Sequence, residues 1–138
     1  MRIAIVNGPN LNLLGTREPS VYGPRSFDDY FQELQGLFAG HELLYFQSNV
    51  EGELINFLQD FRGDGIVLNA GGYSHTSVAI ADCVKAIATP VISVHISNIY
   101  AREAVRHHDL LAAYSLGQIS GLGLMGYELG IRRLLNQA

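Results

Sequence analysis

Short apolar runs alternate along this chain with segments whose apolar residues recur every three or four positions. Ile3-Ala4-Ile5-Val6 is an unbroken apolar run and predicts a buried first strand. A loop rich in Gly, Pro and Asn follows, from Gly8 to Pro24. Ser26 has the chemistry of a helix N-cap, and Asp28 and Asp29 lie in the first turn, where the helix dipole favours negative charge. Phe27, Tyr30, Phe31, Leu34, Leu37 and Phe38 then recur at helical spacing. Leu43-Leu44-Tyr45-Phe46 predicts the second strand, and Glu51 to Phe61 a helix with Leu54, Ile55, Phe57, Leu58 and Phe61 on its apolar side. Ile66-Val67-Leu68 predicts the third strand. Thr76 to Ala88 reads as a helix that stops before Pro90, with Ile80, Cys83, Val84 and Ile87 at core spacing. Val91-Ile92-Ser93-Val94 predicts the fourth strand, interrupted by one hydroxyl. A short helix over Ala101 to Arg106, a weaker fifth strand over Leu116 to Ile119 and a last helix over Gly123 to Leu135 complete the pattern.

Strands separated by helices imply right-handed crossovers and a parallel sheet, hence an α/β protein with helices on both faces of the sheet. Five strands in one domain spanning 1–138 favour the flavodoxin-like order 2-1-3-4-5, a three-layer fold. In such sheets ligands bind outside the carboxyl ends of the strands, at the switch in strand order. Strand one ends in Asn7 and leads to Asn10, strand three ends in Asn69, and strand four runs into His95, Ser97 and Asn98. With this order the three polar clusters meet at one place.

Composition narrows the classes. A 48% hydrophobic fraction in 138 residues excludes a disordered chain. No apolar run approaches the roughly 18 residues of a membrane span, and the start turns polar at Asn7, too soon for a secretion signal core. The single cysteine, Cys83, makes no internal disulfide, which suits the cytoplasm. A net charge of -4 argues against nucleic acid or an anionic membrane as partner. The charged fraction is 16%, against roughly 25% in average proteins, so part of the surface is expected to be covered by other subunits. Eight arginines stand against one lysine, Lys85, and arginine is the better bidentate partner for a carboxylate.

The loop from Gly8 to Gly23 exceeds the about 2–6 residues of an ordinary strand-to-helix connection, as lids do. Arg17 and Tyr22 lie in it. A guanidinium favours a nearby phenolate and makes a tyrosine a candidate general base; the alternative is a surface arginine and a packing tyrosine. Asn69-Ala70-Gly71-Gly72-Tyr73-Ser74-His75-Thr76-Ser77 leaves strand three for a helix. Its glycines admit a ligand to the backbone, and Asn69 and His75 offer orienting hydrogen bonds, although Ser74 or Thr76 is equally a simple cap. Asp82 lies seven residues after His75 and shares its direction if the helix begins that early. His95-Ile96-Ser97-Asn98 places a histidine for acid–base work beside main-chain amides able to hold a carboxylate. His95 and Ser97 lack the elbow of a serine hydrolase, and adjacent His107 and His108 diverge on a helix and suggest no metal. Gly121-Leu122-Gly123-Leu124-Met125-Gly126 fits a dinucleotide-binding pattern but follows the last strand, so close helix–sheet packing explains it better.

Together, the stretch Gly8-Pro9-Asn10-Leu11-Asn12-Leu13-Leu14-Gly15-Thr16-Arg17-Glu18-Pro19, Gln47-Ser48-Asn49, Asn69 to Ser77 and His95-Ile96-Ser97-Asn98 closely resemble the type II 3-dehydroquinate dehydratases, over nearly the whole chain. The resemblance implies a flavodoxin-like fold, a dodecamer built from trimers, no cofactor or metal, and dehydration of 3-dehydroquinate to 3-dehydroshikimate in the shikimate pathway. It implies anti elimination through an enolate, with Tyr22 as the base, Arg17 activating it, Asn10 stabilising the enolate through a water and His95 as the acid. It further implies substrate binding by Asn69, His75 and Arg106, carboxylate binding by Ile96 and Ser97, and a reach by Asp82 into a neighbouring subunit's site.

The chain departs from the family at Ser93, where a glutamate is usual and where period two puts the side chain on the face of His95. Serine is shorter and uncharged. The expectation is that His95 is less basic here, held through Ser93 directly or by water. Two other readings remain at this point: a flavodoxin-like module binding a flavin or phosphate, and a catalytically impaired relative with Ser93 as its defect.

Overall fold

The computed structural model describes residues 1–16, 20 and 24–136. Arg17 and Tyr22 lie outside the described residues. Among the described residues five strands, β1 (Arg2–Asn7), β2 (Glu42–Gln47), β3 (Gly65–Asn69), β4 (Val91–His95) and β5 (Gly117–Ser120), form one parallel sheet in the order β2-β1-β3-β4-β5. This is the order expected from the alternation of strands and helices. β3 and β4 are buried at every residue and β1 at all but Arg2, whereas the edge strands β2 and β5 are largely half-buried. A parallel strand covered on both faces has no solvent side to mark with polar residues, which is why the central strands read as continuous apolar runs.

The helices α1 (Phe27–Leu37), α2 (Glu51–Asp60), α3 (Tyr73–Thr76), α4 (Val78–Ala86) and α5 (Met125–Leu135) supply the two covers. Ile3, Ile5, Val67, Ile92 and Val94 pack against Phe27, Tyr30 and Leu34 of α1 and against Tyr127, Ile131 and Leu134 of α5. On the opposite face Ala4, Val6, Ile66, Leu68 and Val91 meet Leu54 and Leu58 of α2 and Ile80, Cys83 and Val84 of α4. Cys83 is a small core residue, as its spacing predicts, and burial pushes its thiol pKa up. α5 lies close on the sheet because it presents glycines to it. A Cβ at Gly126 would stand 3.2 Å from Val94, and one at Gly130 3.2 Å from Val67. Gly126 therefore serves packing as expected, whereas Gly121 and Gly123 take positive φ (87° and 63°) in the turn that leads into α5. Among the described residues no helix is long and apolar enough to cross a membrane.

Two expected helices differ. The one predicted over Thr76 to Ala88 is divided at Ser77, whose backbone is extended (φ −94°, ψ 97°) and whose Oγ accepts from the Ile80 N–H to cap α4. The cap is thus Ser77, neither Ser74 nor Thr76, and the seven-residue spacing of His75 and Asp82 no longer aligns them. The segment Ala101 to Arg106 is not an α-helix. Short 3-10 turns occupy Ile99–Ala101 and Ala104–His107, with Arg102 and Glu103 extended between them. Local polar bonds win there over the helical ladder: the Asn98 side chain accepts from the Tyr100 N–H, and His107 Nε2 donates to the Arg102 carbonyl.

Candidate active site

A cleft opens at the carboxyl ends of β1, β3 and β4, lined by Asn10, Asn69, His75, His95, Ser97 and Arg106 together with Pro9, Leu11, Leu13, Leu14, Gly71, Gly72, Ile96, Ile99 and Arg102. The three polar clusters at the strand ends do meet. Of the expected site residues, Arg17 and Tyr22 fall outside the described residues, and Asp82 lies exposed on α4, away from this chain's own cleft. The Ile96 side chain is buried in the core, so its main chain is what it offers a ligand.

The first wall is the turn after β1. The Gly8 N–H donates to the Asn69 carbonyl at 2.8 Å, and a Cβ on Gly8 would come within 2.4 Å of the Ala70 carbonyl oxygen. Only glycine allows the loops after β1 and β3 to touch this closely. Asn10 takes the left-handed conformation (φ 70°), which asparagine tolerates better than most residues, and its N–H donates to Asn49 Oδ1 at 2.9 Å. Gln47 Nε2 donates to both the Gly8 carbonyl and Asn49 Oδ1. The Gln47-Ser48-Asn49 stretch is thereby a buttress for the Asn10 turn.

The second wall is Asn69, at the end of β3. Its Nδ2 donates to Tyr127 Oη at 2.8 Å, and its Oδ1 accepts from the Gly71 N–H. Tyr127 Oη in turn donates to Asn7 Oδ1 at 2.8 Å. Burial raises the Tyr127 phenol far above its ordinary pKa, more than the bonds from Asn69 and Asn7 lower it, so it is a neutral bridge. The amide of Asn69 keeps one N–H and one lone pair for the cleft. Tyr127 was invisible as a site residue in the sequence, because its spacing marks it only as core.

The third wall joins His75 and His95, whose rings stack with centroids 5.5 Å apart. His75 Nδ1 donates to the His108 carbonyl at 2.7 Å, which leaves Nε2 as acceptor in the neutral ring. Burial lowers its pKa most, and the charges of His95 and Arg106 act the same way against the raising effects of His108 and Asp109. Arg106 pairs with Glu103, and Arg102 donates to Ser97 Oγ at 3.3 Å.

His95 is not held through Ser93. Its Nε2 donates to Asp109 Oδ2 at 2.8 Å, and Ser93 Oγ donates to the same oxygen at 2.8 Å. Gln118 Nε2 reaches it at 3.1 Å, and the Leu111 N–H donates to Oδ1 at 2.8 Å. The expectation that His95 is held through Ser93 directly or by water is thus corrected: its partner is the Asp109 carboxylate. Asp109 gave no periodic signal, standing in the irregular stretch between the 3-10 turns. The available clue was Ser93 itself: a hydroxyl in the middle of a buried parallel strand demands a polar partner from elsewhere.

Comparison with known proteins bears on the family and the fold. The family model described as Dehydroquinase class II matches residues 1–135. The chain is 53% identical to a 3-dehydroquinate dehydratase of Gemmatimonas aurantiaca over 139 residues, covering 98% of this chain and 91% of that one. It is likewise 53% identical to a 3-dehydroquinate dehydratase of Exiguobacterium sp., covering 98% and 94%. Among solved structures it resembles a type II dehydroquinase from Butyrivibrio crossotus, with TM-score 0.93, 40% identity and coverage of 99% and 98%. A type II dehydroquinase from Propionibacterium acnes matches with TM-score 0.91, 40% identity and coverage of 96% and 94%.

Proposed function

Because the chain belongs to the class II dehydroquinases, we propose that it dehydrates 3-dehydroquinate to 3-dehydroshikimate, as a single catalytic domain of the shikimate pathway working in the cytoplasm. The observation that carries this reading is the convergence of Asn10, Asn69, His75, His95, Ser97 and Arg106 on one cleft in a chain matched to that family over residues 1–135.

In this reading the Tyr22 phenolate, favoured by Arg17, removes a proton from C2 beside the ketone. The electron pair passes to the ketone oxygen as an enolate, which Asn10 steadies through a water. When the enolate collapses, the C1–C2 double bond forms and the C1–oxygen bond breaks. His95 keeps its Nε2–H on Asp109 and gives the proton carried on Nδ1 to the departing hydroxyl, which leaves as water. A ketone already acidifies its neighbouring C–H, so an activated phenol and a polar donor at the enolate are sufficient for the task. Asn69, His75 and Arg106 hold substrate hydroxyls, and the strand end at Ile96 and Ser97 holds the carboxylate.

The same reading includes a dodecamer of trimers, with Asp82 serving a neighbouring cleft. What supports a covered surface is the sparse charge, 16% of residues, together with exposed Val78, Tyr100, Val105, Leu116, Leu122 and Met125. The catalytic assignment is tested by Tyr22→Phe. Wild-type protein converts 3-dehydroquinate, while the variant binds it within about threefold of wild-type affinity and turns over at least about 100-fold more slowly. Full turnover by Tyr22→Phe would remove the base.

A further inference from the structure

The side chain of Asp109 is 2% exposed, and its two oxygens accept four hydrogen bonds, from His95, Ser93, Gln118 and the Leu111 main chain. Such a carboxylate is ionised and immobile. His95 Nε2 must carry a proton to meet it, and Nδ1 is the ring nitrogen without a hydrogen-bond partner among the described residues. We propose that Asp109 is the positioning residue of His95, fixing the imidazole with its proton on Nε2 and reserving Nδ1 for the cleft, in place of the carboxylate that β4 lacks at Ser93. The inference rests on the dehydratase reading for its kinetic consequence, not for the orientation itself.

The placement has a physical logic. Ser93 and His95 share one face of β4, and both reach the same Asp109 oxygen. A hydroxyl on the strand and a carboxylate from the 3-10 segment therefore provide together what one longer acidic side chain on the strand would provide alone. A glutamate at 93 would carry its carboxylate two bonds beyond the position of the serine hydroxyl, into the space of the Asp109 oxygen. The other ionisable groups around His95 are the stacked His75 and the cleft arginines Arg102 and Arg106. Asp109 is the one carboxylate bonded to the ring among the described residues.

Asp109→Asn gives a directed test, because the Leu111 N–H fixes how the amide sits. The asparagine oxygen takes the place of Oδ1, where a donor already points, so the amide nitrogen takes the place of Oδ2. A donor then faces His95 Nε2, and the neutral ring must move its proton to Nδ1. Nitrogen NMR of histidine-labelled protein, with His95 assigned by the loss of its signals in His95→Gln, is expected to show the proton on Nε2 in the wild type and on Nδ1 in Asp109→Asn. kcat is expected to fall about 100-fold with KM within about threefold, because without the carboxylate the ring no longer carries protons on both nitrogens and the acid step loses the one it delivers from Nδ1. The exchange variant Ser93→Glu/Asp109→Ser, which swaps hydroxyl and carboxylate, is expected to recover at least about tenfold of that loss.

An unchanged tautomer in Asp109→Asn, or a kcat within about threefold of wild type, overturns the proposal. So does a folded exchange variant as slow as Asp109→Asn; if the exchange variant does not fold, Asp109→Asn decides alone. A wild-type protein inactive on 3-dehydroquinate overturns the functional reading instead, and the tautomer, which needs no substrate, still decides the role of Asp109.

Discussion

Asp109 shows how one buried charge is made tolerable. Burial raises the pKa of its carboxyl, but the hydrogen bonds from His95 and Ser93, the charge of His95 and the Leu111 N–H together outweigh it, and the net shift is downward. Its contribution to stability is therefore fully present above the ordinary aspartate pKa of about 3.9 and is lost as pH falls through the lower folded value. His75 also has a lowered pKa, with burial as the largest cause, so the fold favours its neutral form. That contribution is present above about 6.5 and declines as pH falls below it. Urea unfolding at a series of pH values is expected to show a loss of stability below about pH 6.5 that is smaller in His75→Gln. Equal pH dependence in both proteins would exclude His75 as its source. Ser93→Ala removes one donor from a buried carboxylate and is expected to cost about 1–3 kcal/mol of unfolding free energy.

At the scale of elements, α5 is bolted to the site end of the sheet by Tyr127, whose hydroxyl bridges Asn7 and Asn69 on β1 and β3. Tyr127→Phe leaves two buried amide groups without that partner, and a loss of about 1–3 kcal/mol in urea unfolding is expected, with a raised KM because Asn69 is freed. Wild-type stability and KM would show that the bridge is dispensable. The strands were legible because burial on both faces leaves an apolar run with little else to read. The stretch from Ile99 to Tyr114 was not, because its geometry comes from individual polar contacts of Asn98, His107 and Asp109 rather than from any period. The division at Ser77 hid for the same reason: a serine inside a helical pattern becomes a cap only when the chain around it turns. Most of the cleft was legible, since parallel topology gathers the strand ends, but the supporting residues Asp109 and Tyr127 come from segments remote in sequence.

For the whole molecule, sheet order decides where chemistry occurs. The order β2-β1-β3-β4-β5 puts β1, β3 and β4 side by side, and their polar ends form the cleft beneath loops that glycine lets approach. The sparse charge and the exposed apolar side chains fit a subunit whose outer surface is shared. Light scattering is expected to give a mass near twelve times the 15.1 kDa chain, and a monomer would contradict the assembly. The central claim is that this cleft eliminates water from 3-dehydroquinate. The direct measurement is the ultraviolet absorbance of purified protein mixed with that compound: a growing band of conjugated enone is predicted, and its absence from folded protein across pH 6 to 9, a range of about three units around the ordinary histidine pKa, would contradict the account.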